Sequence, residues 1–461
     1  MEELQVHNWF GNIVSSPCVV VQPKSVQEIV AILKDTEKHP SPVRAVGSNH
    51  SMTSCGVAEH GTLVDMRKMK RIIEIRPDSV TVEAGALYID VAQELQKHNL
   101  EFYVNLELGN LSIGSAACCG TKDASMPGEF GQVCSYATAI KMVTPAGGVL
   151  EITEEQPELL RAVRSSYGLF GIIYEVTFKV KPLQAMSVYH KVYSLDEFDK
   201  KLPVLKAQGN SIMMYLNPFR DTVLVEFRRY HDTKHPQRLT SWQWKFRNFL
   251  WSRLAPFYGY CVSKYVPIIP IRDFLFDMFD QFMFLGAMLL VRGNNTLATA
   301  QQIRYPAIAN KSKYTFSIWA SPEENYISNL RAYFKFCREY YRTTGYRSNM
   351  ISVGYRVMQD DSSLFSYSSD GPVMTFDPVS TANPGWEAFL IAYNELCSRL
   401  GGIPLPNQSD LLTPAQVQKA YGGRIATFER YRKRFDPTGR LLNDYFRKLL
   451  AVEGSMLNAS A

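Results

Sequence analysis

Short apolar runs alternate with amphipathic segments over the first 182 residues. Apolar residues recur at helical spacing over 26–33, and the preceding Ser25 stands three residues before Glu28, as in a capping box. A helix is therefore predicted to begin directly after Ser25. The β-like run 43–46 leads into Gly47, which favours a tight turn at the end of a strand. Further short strands and helices are predicted at 62–66, 79–84, 89–100, 140–152 and 172–180.

Aromatic residues divide the chain more clearly than any linker does. Of the 56 Phe, Trp and Tyr residues, 11 fall in residues 1–182 and 39 in residues 183–410. The alternating run that ends at Lys181 and Pro182 gives a boundary between the two parts. A glycine-rich first domain over 1–182 and an aromatic-rich second domain over 183–410 are therefore predicted. Strands of the second domain are predicted at 211–216, 222–228, 314–319 and 350–356.

The segment 242–291 interleaves aromatic rings with basic side chains. This pattern suits a membrane interface, where rings lie at headgroup depth and cations meet anionic lipid. It also suits an aromatic core wall or a substrate pocket, so both interpretations stay open. The longest uncharged apolar stretch, 281–291, is too short to span a bilayer. The first ten residues carry acids and lack the apolar core of a signal peptide, so the protein is expected in the cytoplasm, with peripheral membrane contact through 242–291 as an option.

Composition and charge exclude several classes of protein. With 461 residues, 46% hydrophobic and 20% charged, the chain has the make-up of a folded protein of more than one domain. Its eight cysteines form no CxxC pair, so neither a disulfide framework nor a structural zinc site is expected. His231 and His235 stand among loop-forming residues, so no metal is expected there. The net charge of +6 is concentrated in 419–448, which suits a solvated helix face or an anionic partner, although nucleic acid is not expected.

Three glycine-spaced runs carry the candidate chemistry. The sequence contains no GxGxxG, GxxxxGK[ST], GxSxG or HExxH motif. It therefore lacks the signatures of a nicotinamide-binding Rossmann domain, a P-loop NTPase, an α/β-hydrolase and a zincin. In 43–51 a strand reaches Gly47, and the backbone N–H groups that follow are expected to form a nest that suits a pyrophosphate. His50 stands at the rim of this nest. The runs 111–121 and 167–173 are rich in small residues, which let the backbone approach a flat ligand closely.

These runs, in this order and spacing, resemble the FAD-binding domain of the vanillyl-alcohol oxidase and p-cresol methylhydroxylase (PCMH) flavoprotein superfamily. The later segment 434–443, Arg-Phe-Asp-Pro-Thr-Gly-Arg-Leu-Leu-Asn, resembles the returning segment of its aldonolactone and alditol oxidase branch. The resemblance covers 1–182 and 412–450 well and the middle only loosely. It implies an α+β fold, with a two-part PCMH-type FAD-binding domain and an α+β cap domain over the isoalloxazine ring. Residues 411–461 would then return from the cap to the FAD-binding domain.

The resemblance also implies roles for individual residues toward FAD. His50 occupies the position that, in covalent members, bonds through a ring nitrogen to the flavin 8α-methyl carbon, and the rival interpretation is an ordinary hydrogen-bonding histidine. Cys118 would be a small packing residue near the flavin, and Ile173 would meet the adenine side through its backbone. The other implied residues are Gly47, Ser48, Asn49 and Ser51 at the pyrophosphate, and Ser112, Ile113, Gly114, Ser115, Thr121, Lys122 and Ser125 along the dinucleotide.

The sequence departs from the branch at positions that carry its chemistry. The branch shows Gly-Thr-His-Gly where 120–123 read Gly-Thr-Lys-Asp, and His-Trp-Gly-Lys where 405–408 read Leu-Pro-Asn-Gln. The lysine of the second motif is therefore replaced by Gln408, which can orient a substrate oxygen but cannot take its proton at neutral pH. The substrate-binding carboxylate of the branch is not found within 314–321.

The remaining catalytic candidates are neighbours in one predicted strand. Residues 355–356 resemble the strand of the branch that bears a substrate-contacting arginine. Arg356 is the candidate for stabilising negative charge on the substrate oxygen or the reduced flavin, against the alternative of a structural salt bridge. Tyr355 is the candidate general acid or base. Together with Gln408, these are the predicted catalytic residues.

The expected function is that of an FAD-dependent oxidoreductase. A hydride from a C–H bond, expected to be that of an alcohol CH–OH, would pass to flavin N5, and oxygen is the expected second acceptor. The aromatic cap and the lost lysine favour a bulky or apolar substrate, such as a lipid-linked or carrier-linked one. One alternative is a sugar-1,4-lactone oxidase or dehydrogenase whose base has moved elsewhere. The other is a catalytically silent flavin-binding scaffold.

Overall fold

Short strands dominate the first 182 residues of the computed structural model, which describes residues 4–231, 242–291, 295–305 and 313–451. These strands are β1 (Val6–His7), β2 (Val14–Ser15), β3 (Val19–Val21), β4 (Val43–Val46), β5 (Thr62–Asp65), β6 (Ile72–Ile75), β7 (Ser79–Glu83), β8 (Leu100–Phe102), β9 (Ala137–Val143), β10 (Val149–Thr153) and β11 (Ile172–Pro182). They form the pair β1-β2, a parallel sheet of order β3-β5-β4, and an antiparallel sheet of order β10-β9-β11-β7-β6 in which β8 also pairs with β11.

The second part of the chain is built on one eight-stranded antiparallel sheet. Its strands are β12 (Ala185–Ser194), β13 (Ser211–Asn217), β14 (Thr222–His231), β15 (Asn295–Leu297), β17 (Trp319–Pro322), β18 (Ser352–Val357), β19 (Val373–Thr375) and β21 (Ile403–Pro404), with β16 (Thr315–Phe316) and β20 (Val379–Ser380) as a separate pair. The order across the large sheet is β15-β12-β14-β13-β18-β19-β17-β21. Side chains alternate between its two faces, so one face of β13 and β18 is free to line a cavity.

Helices cover both parts of the structure. They are α1 (Val26–Lys34), α2 (Tyr88–Lys97), α3 (Ile113–Cys118), α4 (Pro157–Val163), α5 (Leu195–Ala207), α6 (Trp242–Phe249), α7 (Ala255–Tyr265), α8 (Ile269–Leu290), α9 (Ala298–Gln301), α10 (Tyr326–Thr344), α11 (Trp386–Arg399), α12 (Pro414–Tyr421), α13 (Gly423–Phe435) and α14 (Asp444–Leu449). A π-helical turn, Leu250–Leu254, joins α6 to α7.

Most of the predicted elements agree with the structure. The helix predicted after Ser25 is α1, and the Ser25 hydroxyl accepts a hydrogen bond from the Glu28 backbone N–H. The predicted strand 314–319 is wrong as one element. It divides into β16 and β17 because these two strands pair with different partners, β20 in one case and β19 with β21 in the other.

The end of the chain packs back against its beginning. Arg440 is buried and donates hydrogen bonds to the carbonyl oxygens of Ile32, Leu33 and His39 at 2.8–3.0 Å. The backbone carbonyl of Arg440 accepts a hydrogen bond from the Val43 N–H, at the start of β4. The prediction of a solvated helix face or an anionic partner is therefore wrong for Arg440, because its guanidinium is buried and donates to backbone carbonyls.

A single hydrophobic cluster contains buried side chains of both parts and of the C-terminal helices, among them Phe178, Phe227, Tyr393 and Phe428. The division at residue 182 falls between β11 and β12, and the arrangement of two domains with a returning segment at 411–461 stays a prediction. All eight cysteines are free thiols. Within the described ranges, every helix is too short or too polar to cross a membrane.

Candidate active site

The turn after β4 packs closely against the start of α3 and leaves a narrow cleft. A Cβ atom at Gly47 would lie 2.1 Å from Ser112 Oγ and 2.4 Å from Ser112 Cβ, and one at Gly114 would lie 2.9 Å from the Ala84 Cβ. Asn49, in the same turn, has a φ of +53°. Because side chains are excluded at the two glycines, backbone atoms line this part of the cleft, which suits a flat, extended ligand.

Most of the residues predicted to bind a cofactor line this cleft or its rim. They are Gly47, Ser48, Asn49, His50, Ser51, Ser112, Gly114, Ser115, Cys118 and Ile173. Ile113 instead is fully buried in the hydrophobic core beneath the cleft. The Ser125 hydroxyl accepts a hydrogen bond from the Met358 N–H at 2.9 Å, and Thr121 and Lys122 line a second cavity. The roles of all these residues toward a cofactor stay predictions.

His50 lies where the cleft widens into a larger groove that also contacts Trp9 and Lys313. Its ring stacks on the indole of Trp9, with 4.9 Å between ring centroids. Burial, with Lys313 nearby, lowers the pKa of His50 to about 4. The imidazole is therefore neutral at physiological pH. Its Nδ1 atom is buried and has no hydrogen-bond partner among the described residues, so one ring nitrogen is left for a ligand.

The second cavity lies between the two parts of the chain and is largely apolar. It contains about 930 Å³ of space not filled by protein atoms, its open mouth included. Trp9 connects it to the cleft, because the rings of Tyr305 and Tyr314 lie edge-on against the indole that stacks on His50. Its apolar and aromatic lining consists of Leu106, Leu108, Met213, Tyr215, Trp251, Ile303, Tyr305, Tyr314, Phe316, Ile318, Met350, Ile351, Val353, Tyr355 and Val379.

A buried ion pair forms the polar end of this cavity. The Nζ atom of Lys122 lies 3.4 Å from Asp377 Oδ2 and 3.8 Å from the centroid of the Tyr355 ring. The two charged side chains are only 2% and 1% exposed. Asp377 Oδ2 also accepts a hydrogen bond from the Thr375 hydroxyl at 3.0 Å, which fixes the carboxylate toward the lysine.

Burial makes it easy for this pair to exchange a proton. It raises the pKa of Asp377 to about 6, although the charge of Lys122 acts in the opposite direction. Burial also lowers the pKa of Lys122, opposed by Asp377 and by Asp123. Both pKa values shift toward the neutral form of their group, because a low-dielectric site disfavours each charge. Lys122 therefore loses its proton more readily than a lysine in water does, and a residue that acts as a general base must be able to do so.

A network of ion pairs holds the opposite wall. Arg228 lies 3.2 Å from Asp123 and 2.6 Å from Glu226, and Arg247 is paired with Glu107. Burial raises the pKa of Asp123 to about 6, against the effect of Arg228. Each acid in this network is paired with an arginine. We therefore assign the network a structural role and not a role in proton transfer.

Three oxygen atoms beside the ion pair lack partners. Thr121 Oγ1, Asp377 Oδ1 and Gln408 Oε1 are buried and have no hydrogen-bond partner among the described residues, and all three side chains line the cavity. Unpartnered buried oxygens are costly, and these three belong to side chains that line one cavity, which indicates a bound polar group. The hydroxyls of a polar substrate could donate to the Asp377 and Gln408 oxygens, and the Thr121 hydroxyl could donate to a substrate oxygen.

Of the predicted catalytic residues, Tyr355 and Gln408 line the cavity and Arg356 lies elsewhere. Arg356 Nε lies 2.6 Å from Glu323 Oε2, which matches the salt bridge that was the alternative. Adjacent residues of a strand point to opposite faces, so β18 cannot present both side chains to one cavity. Burial, with nearby carboxylates, raises the pKa of Tyr355 well above its usual range, so the phenol keeps its proton and does not act as a base.

Sequence reasoning missed Asp377 and assigned Lys122 to the dinucleotide. One signal was available for the lysine, because Lys122 replaces the histidine of the branch motif while Gln408 replaces its lysine. No motif marks Asp377, which reaches the site only through the pairing of distant strands. Among the described residues, no group of three His, Cys, Asp or Glu side chains is arranged to hold a metal ion; His231 ends β14, and His235 lies outside the described ranges.

Two family profiles match the chain. The one described as FAD binding domain matches residues 17–153, and the one described as D-arabinono-1,4-lactone oxidase matches residues 176–449. L-gulono-1,4-lactone dehydrogenase of Mycobacterium tuberculosis is 24% identical over 453 residues, which cover 96% of this chain and 98% of that protein. L-gulonolactone oxidase of Mus musculus is 23% identical over 472 residues, covering 97% and 98%.

Solved structures give the same picture of the architecture. Cholesterol oxidase from B. sterolicum superimposes with a TM-score of 0.69 at 16% identity, and the match covers 97% of each chain. At this identity the likeness concerns the fold alone. Together with the FAD-binding profile, it confirms the predicted α+β fold of the PCMH type.

Proposed function

Because the chain belongs to the D-arabinono-1,4-lactone oxidase family, we propose that it oxidises an alcohol group of an aldono-1,4-lactone and that the Lys122–Asp377 pair takes the hydroxyl proton. The observation that carries the proposal is this buried pair at the polar end of an otherwise apolar cavity. The relatives named above are dehydrogenases and oxidases of L-gulono-1,4-lactone and L-gulonolactone. They favour the lactone alternative over the expected bulky or apolar alcohol.

The family also establishes the class of enzyme and its cofactor. The chain is an FAD-linked oxidoreductase, and its cofactor is FAD. The resemblance to the PCMH superfamily and its aldonolactone branch is confirmed. The cleft fits this cofactor, because the glycine backbone at 47 and 114 admits a flat ligand and His50 offers an unpartnered ring nitrogen. When bound, the flavin supplies the acceptor for the hydride of the substrate C–H bond.

The protein's own residues supply the proton transfer. An alcohol loses its O–H proton as its C–H bond is broken, so a base must stand beside the oxygen. In the proposed step Lys122 first loses its own proton to solvent, which burial favours by lowering its pKa; the neutral amine then accepts the hydroxyl proton at Nζ, and the Asp377 carboxylate stabilises the resulting ammonium at Oδ2. Gln408 and Thr121 would orient the substrate through the oxygens that have no partner among the described residues. Lys122 thereby performs the work of the lysine that the branch carries at the position of Gln408.

Anaerobic reduction of the flavin tests the proposal directly. The purified protein is mixed without oxygen with L-gulono-, L-galactono- and D-arabinono-1,4-lactone, and bleaching of the flavin absorbance is followed. We expect at least one lactone to bleach the wild-type protein, and Lys122→Met to bleach far more slowly with the same flavin content. Bound FAD that no lactone and no alcohol reduces would support a silent scaffold instead.

The apolar walls favour a second candidate, an alcohol of a larger and less polar molecule. Fifteen lining residues are apolar or aromatic, many more than a free sugar lactone needs. A series of secondary alcohols from cyclohexanol to a sterol, used in the same bleaching assay, separates the two candidates. Faster bleaching by larger alcohols than by any lactone would reject the lactone proposal.

Covalent attachment of the flavin to His50 is a separate proposal. The neutral imidazole and its unpartnered Nδ1 support it. Acid precipitation of the holoprotein followed by intact mass measurement should leave flavin on the wild-type chain and none on His50→Ala. Release of all colour from the wild-type protein would show that His50 holds the cofactor only by contact.

A further inference from the structure

Helices α6, α7 and α8 expose an unusual amount of apolar surface. Of the 23 large hydrophobic side chains that are exposed in the described part of the chain, 13 lie within residues 242–291. We call their shared surface the α6–α8 face. Its members are Trp242, Phe246, Phe249, Phe257, Tyr265, Ile268, Ile269, Ile271, Phe274, Met278, Phe282, Leu285 and Leu289. Contiguous apolar surface of this kind on a protein indicates a binding partner.

The pattern on α8 shows that the exposure follows one side of the helix. Six of its seven exposed apolar residues stand at 271, 274, 278, 282, 285 and 289, with intervals of three and four residues that place them in one row, and the seventh is Ile269 at the start of the helix. The other side of the helix buries Phe276, Met283 and Phe284 against the protein. A helix on the surface of a soluble protein is usually polar on the side that faces water. Helix α8 instead carries apolar residues both on that side and on the side that faces the protein.

The neighbouring helices extend the same surface. Tyr258 of α7 stacks on Phe279 of α8 with 4.1 Å between ring centroids, and Phe279 in turn contacts the ring of Phe282. The three helices also pack on one another directly, α7 and α6 each against α8. Two of the three exposed rings of α6, Phe246 and Phe249, contact each other.

The acidic side chains of this segment face the protein, and three of its basic side chains face solvent. The three acids of 242–291 point into the protein, where Asp273 bonds to Tyr341, Asp277 pairs with Arg347, and Asp280 accepts a hydrogen bond from Asn217 at 3.0 Å. The exposed charged residues of α6–α8 are the bases Lys245, Arg253 and Lys264. The outer surface therefore combines apolar rings with positive charge only.

We propose that the α6–α8 face docks on an anionic lipid bilayer, with its apolar side chains inserted to the boundary between headgroups and acyl chains. Aromatic rings and aliphatic side chains beside Lys and Arg are the composition of interfacial helices. A second copy of the chain fits less well, because a symmetric contact would bring the same three cations together without an acid on the face. Docking does not depend on the proposed function.

The docked face lies next to the candidate active site. Trp251, Met350 and Ile351 line the substrate cavity, and the same residues line a smaller gap against Phe276 and Met283 of α8. A single layer of side chains therefore separates the cavity from the helices that would contact lipid.

Vesicle binding of the full-length holoprotein tests the docking. The protein is sedimented with vesicles of phosphatidylcholine alone and of equal parts phosphatidylcholine and phosphatidylserine. We expect binding to the mixed vesicles that Phe274→Glu/Phe282→Glu abolishes. The control Val204→Glu/Ile391→Glu changes side chains of similar exposure, 55% and 58%, on α5 and α11, and should bind as the wild type does.

The charge part of the proposal has its own measurement. Reversing Lys245, Arg253 and Lys264 to Glu should weaken binding to the mixed vesicles by about fivefold or more for each residue, and added salt should weaken the wild type likewise. No binding by the wild type, or equal binding by both double variants, would overturn the proposal. So would a dimer that Phe274→Glu/Phe282→Glu converts to monomers while no form binds vesicles, because the face would then be covered by a second copy.

Discussion

The candidate flavin cleft and the candidate substrate cavity are built in opposite ways. The cleft is made of short consecutive runs, such as 47–51 and 112–118, in which backbone and small side chains form the surface. The cavity gathers single side chains from many elements, and its key pair joins residues 122 and 377. A site made of consecutive residues leaves a motif in the sequence, whereas an assembled site becomes visible only through strand pairing.

The largest expected effect breaks the cavity and leaves the cleft intact. Lys122→Met should lower kcat/KM by about 10²–10⁴, the range expected for a lost general base, while flavin content stays at the wild-type level. Lys206→Met is the matched control, because Lys206 pairs with Glu323 away from the cavity and should change kcat/KM little. An unchanged rate in Lys122→Met would remove this residue from the mechanism.

The reverse change breaks the cleft and leaves the cavity intact. Gly47→Val places side-chain atoms against Ser112, and overpacking of this kind costs about 1–3 kcal/mol, so FAD affinity should fall by about 10- to 100-fold. Equilibrium dialysis of the apoprotein against FAD measures the change. Gly371→Ala, where no atom lies within 4 Å of the added Cβ, should bind FAD normally. If both variants bind alike, the close approach at Gly47 has no part in binding the cofactor.

The pH profile sharpens the assignment within the cavity. Because the pKa of Asp377 is raised to about 6, its carboxylate is charged above that pH and protonated below it. Because Lys122 must be neutral to act as the base, kcat/KM should already fall with decreasing pH as Lys122 is protonated, and below about pH 6 the loss of the Asp377 charge should add a second limb of roughly tenfold per pH unit. Asp377→Asn should remove this limb, and Asp123→Asn should keep it. A limb that persists in Asp377→Asn and disappears in Asp123→Asn would assign the titration to the opposite wall.

The smallest effect separates a cavity residue from its strand neighbour. Arg356→Met should leave kcat/KM within about threefold of the wild type, because the side chain faces Glu323 and not the cavity. The free energy of unfolding should fall by about 1 kcal/mol, since Glu323 keeps its second partner, Lys206. Urea denaturation and steady-state kinetics check the two parts. A large loss of kcat/KM at full flavin content would return Arg356 to the substrate.

Many helices and strands of the fold could be predicted from the sequence, because residues close to one another along the chain determine them. The helix after Ser25, the strand into Gly47 and the hairpin around 145–148 all depend on neighbours in the sequence. The strand predicted at 314–319 failed because its two halves pair with different partners, which no local pattern records.

The prediction that Tyr355 and Arg356 share one site disagrees with the structure for a related reason. Tyr355 and Arg356 are adjacent in the sequence and were assigned to one site, but the pleat of β18 sends them to opposite faces. No sequence motif contains Asp377. It reaches Lys122 because β19 pairs with β18, and Asp377, two residues after β19, pairs with Val353 of β18. Such a contact depends on the register of distant strands, which hydrophobic periodicity does not determine.

The bonds between the start and the end of the chain set an order on biosynthesis. Arg44, three residues before Gly47, donates to the carbonyl of Leu441, 397 residues later, and Val43 is bonded to Arg440. The ribosome must therefore release nearly the whole polypeptide before these two bonds can form. Until then, the bonds of Arg44 to the carbonyls of Cys55 and Tyr167 are the ones that the nascent chain can make.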